Sequence, residues 1–188
     1  MKKFFLNKAL RILLATNSLI LIAVAMLGPI YALFVETIGG DLLDASFAGA
    51  TFALAAGLTT LVSGKLSDKV KENKIIVVIG YLLMSLGFFL YTQVETMCFL
   101  LVVQIILGLG EAIYSPAFDD EFSRHLDKGK AASEWGLWES MNYFAIAVGA
   151  IIGGYIVNKF GFSTMFIVMG SLCFISATYI FFLPKKVL

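Results

Sequence analysis

Charge is what this sequence has least of. Only 14% of its 188 residues are Asp, Glu, Lys or Arg and 60% are hydrophobic, whereas soluble domains carry roughly 25% charged residues. So few charges cannot cover a water-exposed surface, and the chain reads as a membrane protein. Proline is also scarce, at three residues, which leaves long helices free to run. The two cysteines, Cys98 and Cys173, stand far apart in apolar surroundings, where cysteine behaves as a small core residue, so no disulfide framework is expected. There is one histidine, His125, and no His/Cys/carboxylate cluster with ligand spacing, so neither a metal nor a cofactor is expected. A net charge of +1 with basic residues scattered among loops argues against nucleic acid as a partner. Enzymatic signatures are missing as well. Gly57 to Lys65 has six residues between its glycines and Leu66 after the lysine, where a P-loop needs four residues and Ser/Thr.

What is present is a series of long apolar runs. An α-helix needs roughly 20 apolar residues to cross a bilayer, and six stretches of about that length occur: 9–35, 45–63, 75–92, 97–118, 133–157 and 162–183. The expected fold is therefore an all-α integral membrane protein, a single domain of six transmembrane helices over residues 1–188. The apolar run Ile12–Val35 exceeds the 7–15 residues of a signal-peptide core, so an uncleaved first span is expected. The basic residues of 2–11, 65–74, 124–130 and 185–186 fall on one side of a six-span path and only Lys159 on the other. By the positive-inside rule both termini face the cytoplasm, across the cell membrane, and all copies share one orientation.

Polar groups inside spans are costly and mark function by default. In span 4, Gln104, Gly108, Glu111 and Ser115 recur at helical spacing, and in span 5 Trp135, Glu139, Asn142, Gly149 and Gly153 share a face. With Asn17 of span 1, the residues Gln104, Glu111, Glu139 and Asn142 are the candidate substrate or ion pathway. Glu111 and Glu139 are the candidate proton or cation carriers, being carboxyl groups that can exchange a proton. Spans 3 and 6 hold no buried charge and are expected to face lipid. Small residues spaced for close helix approach include Gly49 and Gly57 in span 2 and Gly149 and Gly153 in span 5.

Between spans 2 and 3 lies a charged turn, residues 64–74, with four lysines and two acids in eleven residues. Its order, Gly64-Lys65-Leu66-Ser67-Asp68-Lys69 with Lys74 beyond, resembles the signature between helices 2 and 3 of the major facilitator superfamily. That signature reads roughly Gly-x-Leu-(Ser/Ala)-Asp-(Arg/Lys); Lys71 stands where the family usually has a second glycine. Gln104-Ile105-Ile106-Leu107-Gly108-Leu109-Gly110 is similar to the family's Arg-x-x-x-Gly-x-Gly motif with Gln104 replacing the arginine. Gly149-Ala150-Ile151-Ile152-Gly153-Gly154 is similar to its antiporter motif with Ala150 replacing proline. Ser115-Pro116-Ala117-Phe118 also echoes Gly28-Pro29-Ile30-Tyr31.

The resemblance covers essentially the whole chain but half the family's usual twelve spans. It implies a six-helix half built of two three-helix inverted repeats, and a secondary transporter of a small solute by alternating access, with proton-coupled efflux as one mode. A second copy in the same orientation would complete the carrier as a 6+6 homodimer; the alternative is a non-transporting chain or half-subunit needing another six-helix partner. It further implies that Asp68 closes a cytoplasmic gate against the start of span 5 in the second half. Lys69 would then pair with Asp119 or Asp120 at the end of span 4.

Overall fold

The computed structural model describes residues 6–70 and 73–184; the motif positions Lys71 and Glu72 and the basic residues Lys2, Lys3, Lys185 and Lys186 lie outside them. Among the described residues every regular element is helical. Five helices among the described residues are long and apolar enough to cross a membrane.

Helix α1 (Lys8–Leu27) starts where the Asn7 side chain accepts the Leu10 N–H at 2.9 Å. The first span was expected to be one helix over 9–35. Instead Gly28–Ile30 forms a 3₁₀ turn, and α2 (Tyr31–Thr37) resumes the helix. Pro29 is the cause, since it lacks the N–H that a continuous helix would use at that point. Helix α3 (Leu42–Ser67) opens on a capping box in which Asp41 and Asp44 each accept the other's backbone N–H, satisfying two otherwise orphaned donors. Helix α4 (Lys74–Tyr91) is followed by α5 (Met97–Arg124), capped by Thr96 and holding Pro116 inside it. The fourth span was expected to end at 118. It stays helical to Arg124 because Glu121 and Phe122 continue the buried face and Arg124 bonds Asp120 one turn back at 2.6 Å.

The last element, α6 (Ala131–Phe182), is 52 residues long, about 78 Å at 1.5 Å per residue and far more than one bilayer crossing. Gly161 breaks it with φ 81° and ψ 171°, a backbone conformation that favours glycine. It is best described as two segments, 131–160 and 162–182.

Helix α1 packs on α6, α3 and α4 pack on α5, and α4 packs on α6. Two ends of the bundle are recognisable. At one, Asn7 donates to the His125 carbonyl at 2.7 Å, and the Lys74 ammonium donates to the Leu183 carbonyl. At the other, Thr37, Thr92, Glu95 and Ser163 surround a small cavity. There Phe34, Tyr91 and Phe166 form an aromatic cluster, with Phe166 centroids 4.9 Å from Phe34 and 4.7 Å from Tyr91.

Burial is uneven. Helix α3 buries only Ala45, Ala48, Ser63 and Ser67, while α4 buries more than half of its residues. The two helices expected to face lipid, 75–92 and 162–183, thus both contribute much of the core, the second through Met165, Phe166, Met169, Cys173, Ala177 and Ile180; the outward stripe of the first is Ile75, Ile79, Leu82, Leu86 and Phe89. The broadest uncovered apolar surfaces are on α3 (Phe47, Leu54, Leu58, Leu61) and on the first segment of α6 (Tyr143, Phe144, Ile151, Tyr155).

Candidate functional site

Glycine decides how closely the helices that frame the site approach. A Cβ on Gly149 would lie 2.6 Å from the Ile22 carbonyl oxygen, and one on Gly153 would collide with the Met26 carbonyl. Both positions therefore serve the α1–α6 contact as close-packing residues. Between α3 and α5 the close approach comes from the other helix. Gly108 faces the Phe52 carbonyl, where a Cβ would stand 2.6 Å away, while Gly49 and Gly57 have nothing within 4 Å. Gly108 is consequently helix contact, although it shares a sequence stripe with polar residues.

That packing leaves a cavity of about 200 Å³ between α1, α2, α3, α4 and α5. Its wall is almost wholly apolar, with Val24, Leu27, Phe52, Met84, Phe88 and Leu107, and Gly28 and Gly49 widen it. Three kinds of polar group reach it. Gln104 donates its amide N–H to the Tyr31 hydroxyl, and Tyr91 also bonds the Tyr31 side chain. Glu111, midway along α5 and half-buried, is the third. Among the described residues its side chain makes no ion pair or hydrogen bond.

Of the five pathway candidates, Gln104 and Glu111 meet in this cavity. Asn17 is buried elsewhere, accepting the Tyr81 hydroxyl at 3.2 Å between α1 and α4. Glu139 is exposed and Asn142 half-buried on the first segment of α6, and neither lines the cavity. Tyr31 and Tyr91 were not singled out from sequence, because tyrosine in an apolar run looks like core. The echo between Tyr31 and the second span-4 motif was the only signal pointing there.

The charged turn is positioned as follows. Gly64, Leu66 and Ser67 belong to the last turn of α3, and Asp68 is its C-cap. Ser63 and Ser67 are buried toward the bundle, with Ser63 donating to the Ala112 carbonyl of α5. Asp68 and Lys69 are exposed. Asp120 pairs with Arg124 and accepts from Asn73, which is fully buried just before Lys74. Among the described residues Lys69 forms no ion pair, with Asp119 and Asp120 included. Beyond this, Asp127 accepts from the Lys130 ammonium at 2.7 Å, and this bond holds the Asp127 carboxyl below the usual carboxylate range.

Comparison with known proteins bears on the whole chain. Residues 13–187 match the family model of the Major Facilitator Superfamily. An uncharacterised MFS-type transporter of Methanocaldococcus jannaschii is 24% identical over 172 residues, covering 92% of this chain and 44% of that protein. Multidrug resistance protein MdtG of Dickeya zeae is 26% identical over 175 residues, covering 89% of this chain and 42% of the relative. MdtG of Salmonella typhimurium is 24% identical over 171 residues, with 89% and 42% covered. The chain thus spans less than half the length of these relatives. With a family model matched along nearly all of its residues, on helices long and apolar enough to cross a bilayer, this chain belongs to the Major Facilitator Superfamily.

Proposed function

We propose that this integral membrane protein is one six-helix half of a secondary transporter that moves a small solute by alternating access. The observation that carries the reading is Glu111, an unpaired carboxyl in an apolar cavity beside the Gln104–Tyr31 pair. An ionisable group in a span costs roughly 3 kcal/mol on insertion scales, and no partner within the described residues offsets that cost. An apolar wall with a single carboxyl suits a lipophilic solute, neutral or cationic, with Glu111 exchanging a proton or meeting the cation. The naming of MdtG as a multidrug resistance protein agrees with such a cargo and with efflux.

The break at Gly161 supports six crossings rather than five. The contact pattern supports two inverted three-helix repeats. The first crossing touches both segments of α6, through Gly149 and through Ser176, which donates to the Thr16 carbonyl. The fourth touches the second and third, and the third touches the sixth through the Ser85 bond to the Gly170 carbonyl. Exchanging crossings one, two and three for four, five and six leaves this set of pairs unchanged, as an inverted repeat requires.

A complete carrier needs a second six-helix unit. The uncovered apolar faces of α3 and of residues 131–160 are the surfaces it would cover, and a second copy in the same orientation is the occupant we favour. The one-sided distribution of basic residues supports cytoplasmic termini and is compatible with a parallel two-fold dimer. Asp68, an acid at the negative end of the α3 dipole, is poorly placed within its own subunit. It would be better satisfied by the positive helix start near Ser133 of the other half, closing the cytoplasmic side.

The test is flux of a lipophilic cationic dye in proteoliposomes, read together with native mass in nanodiscs. A dimer that moves the dye, with flux lost in Glu111→Gln, is the expected result. A persistent monomer without flux would point instead to a half-subunit lacking its partner. Undiminished flux in Glu111→Gln would remove Glu111 from the pathway.

A further inference from the structure

A second groove, of about 510 Å³, lies between α1 and the second segment of α6 and shares no lining residue with the first cavity. Its volume is in the range of small-molecule sites. Lys8 and Arg11, one turn apart on α1, form its outer end. Deeper in, the walls become apolar, with Ile12, Ala15 and Leu19 on one side and Ile175 on the other. The polar groups of the floor are already used. Thr16 bonds back to the Ile12 carbonyl at 2.9 Å, and Ser176 donates to the Thr16 carbonyl at 3.0 Å. The groove therefore offers two cations at its mouth and a hydrocarbon-lined interior below them.

Those cations have no salt-bridge partner among the described residues, whereas Arg124 and Lys130 each have one. Sequence explains why: no Asp or Glu occurs before Glu36 and none after Glu139. Both walls of the groove thus come from acid-free stretches; the carboxylate that approaches this end of α1, Asp127, bonds the Asn7 side chain and is paired with Lys130. Tyr179, exposed and one turn beyond Ser176 toward the same end, is the kind of amphipathic side chain that settles at headgroup level.

From this juxtaposition we infer that the α1–α6 groove is a binding site for an anionic phospholipid, its phosphate held by Lys8 and Arg11 and an acyl chain lying along Ala15, Leu19 and Ile175. Basic pockets between helices at a membrane face bind anionic headgroups in this way. The inference requires only that the chain sits in a membrane, and it stands whether or not the chain transports a solute.

Native mass spectrometry of the purified protein with added phosphatidylglycerol or phosphatidylcholine tests it. The protein should retain phosphatidylglycerol preferentially. Lys8→Gln with Arg11→Gln should weaken that retention roughly 25-fold, about fivefold for each interfacial cation. Ala15→Phe, at an exposed position, should fill the groove and weaken retention with the charges intact. Lys65→Gln with Lys69→Gln removes two cations elsewhere and should leave retention unchanged. Equal loss in that control pair would mean diffuse surface charge and would overturn the site. So would unchanged retention in Ala15→Phe, or equal retention of phosphatidylcholine by the unaltered protein.

Discussion

Gly153 and Gly154 are neighbours in sequence with opposite surroundings, and alanine at each should have opposite effects. At Gly153 a Cβ would run into the Met26 backbone carbonyl, which cannot rotate away as a side chain could, whereas at Gly154 it meets nothing within 4 Å. Overpacking of a well-packed contact costs about 1–3 kcal/mol, and a rigid backbone neighbour puts Gly153→Ala near the upper end. Removing a glycine from a helix interior returns about 1 kcal/mol. The net expectation is a loss of about 2 kcal/mol for Gly153→Ala and a gain of about 0.5–1 kcal/mol for Gly154→Ala. For a chain of this size that corresponds to a fall in Tm of about 4–8 °C in the first variant and a rise of about 1–4 °C in the second. Thermal unfolding in one detergent, followed by intrinsic tryptophan fluorescence, reads both. If Gly153→Ala proved as stable as Gly154→Ala, the proposed backbone approach of α1 and α6 would be refuted.

Other expectations follow from the same geometry. Asp68→Asn should abolish solute flux while leaving expression and Tm within the range of a surface substitution, since Asp68 is exposed at the end of α3; normal flux would sink its gate role. Ser85→Ala removes an interhelical bond of 2.8 Å to the Gly170 carbonyl and should lower stability by about 0.6 kcal/mol, the mean for such bonds in membranes, as read by unfolding in mixed micelles. The Asp127 carboxyl, depressed first of all by its bond to Lys130, stabilises the 125–131 turn above the ordinary carboxylate range and loses that effect only as pH falls through its own lower pKa. Lys130→Met should move this loss upward in pH, as NMR titration of the Asp127 carboxyl carbon would report; an unmoved titration would assign the depression to another cause.

Much of the architecture was legible because helix formation in a bilayer is a local requirement. With no water to satisfy backbone groups, each apolar run of about 20 residues must close its own hydrogen bonds, so the long helices and the charged turn at 64–74 could be read directly. The boundaries that moved did so for local reasons too: Pro29 interrupts the first span, and the amphipathic run Glu121–Phe122 carries α5 beyond its apolar core to Arg124. The family was legible from the order Gly64-Lys65-Leu66-Ser67-Asp68-Lys69 and is established by the match over residues 13–187.

Partnership was not legible in the same way. Helical spacing grouped Gln104, Gly108 and Glu111 on one face, yet Gly108 meets the Phe52 carbonyl while Gln104 and Glu111 border the cavity. Likewise Gly49 and Gly57, two turns apart, and Gly149 and Gly153, one turn apart, were both read as close-packing pairs, but only at the latter pair would a Cβ run into another helix. Tyr31 reaches Gln104 across 73 residues of chain and Asn17 reaches Tyr81 across 64. Periodicity specifies which residues share a face of one helix, and the sequence by itself determined that much, together with membrane class and family. Which face meets which neighbour depends on rotation and crossing of helices distant along the chain, and only the tertiary structure decided it.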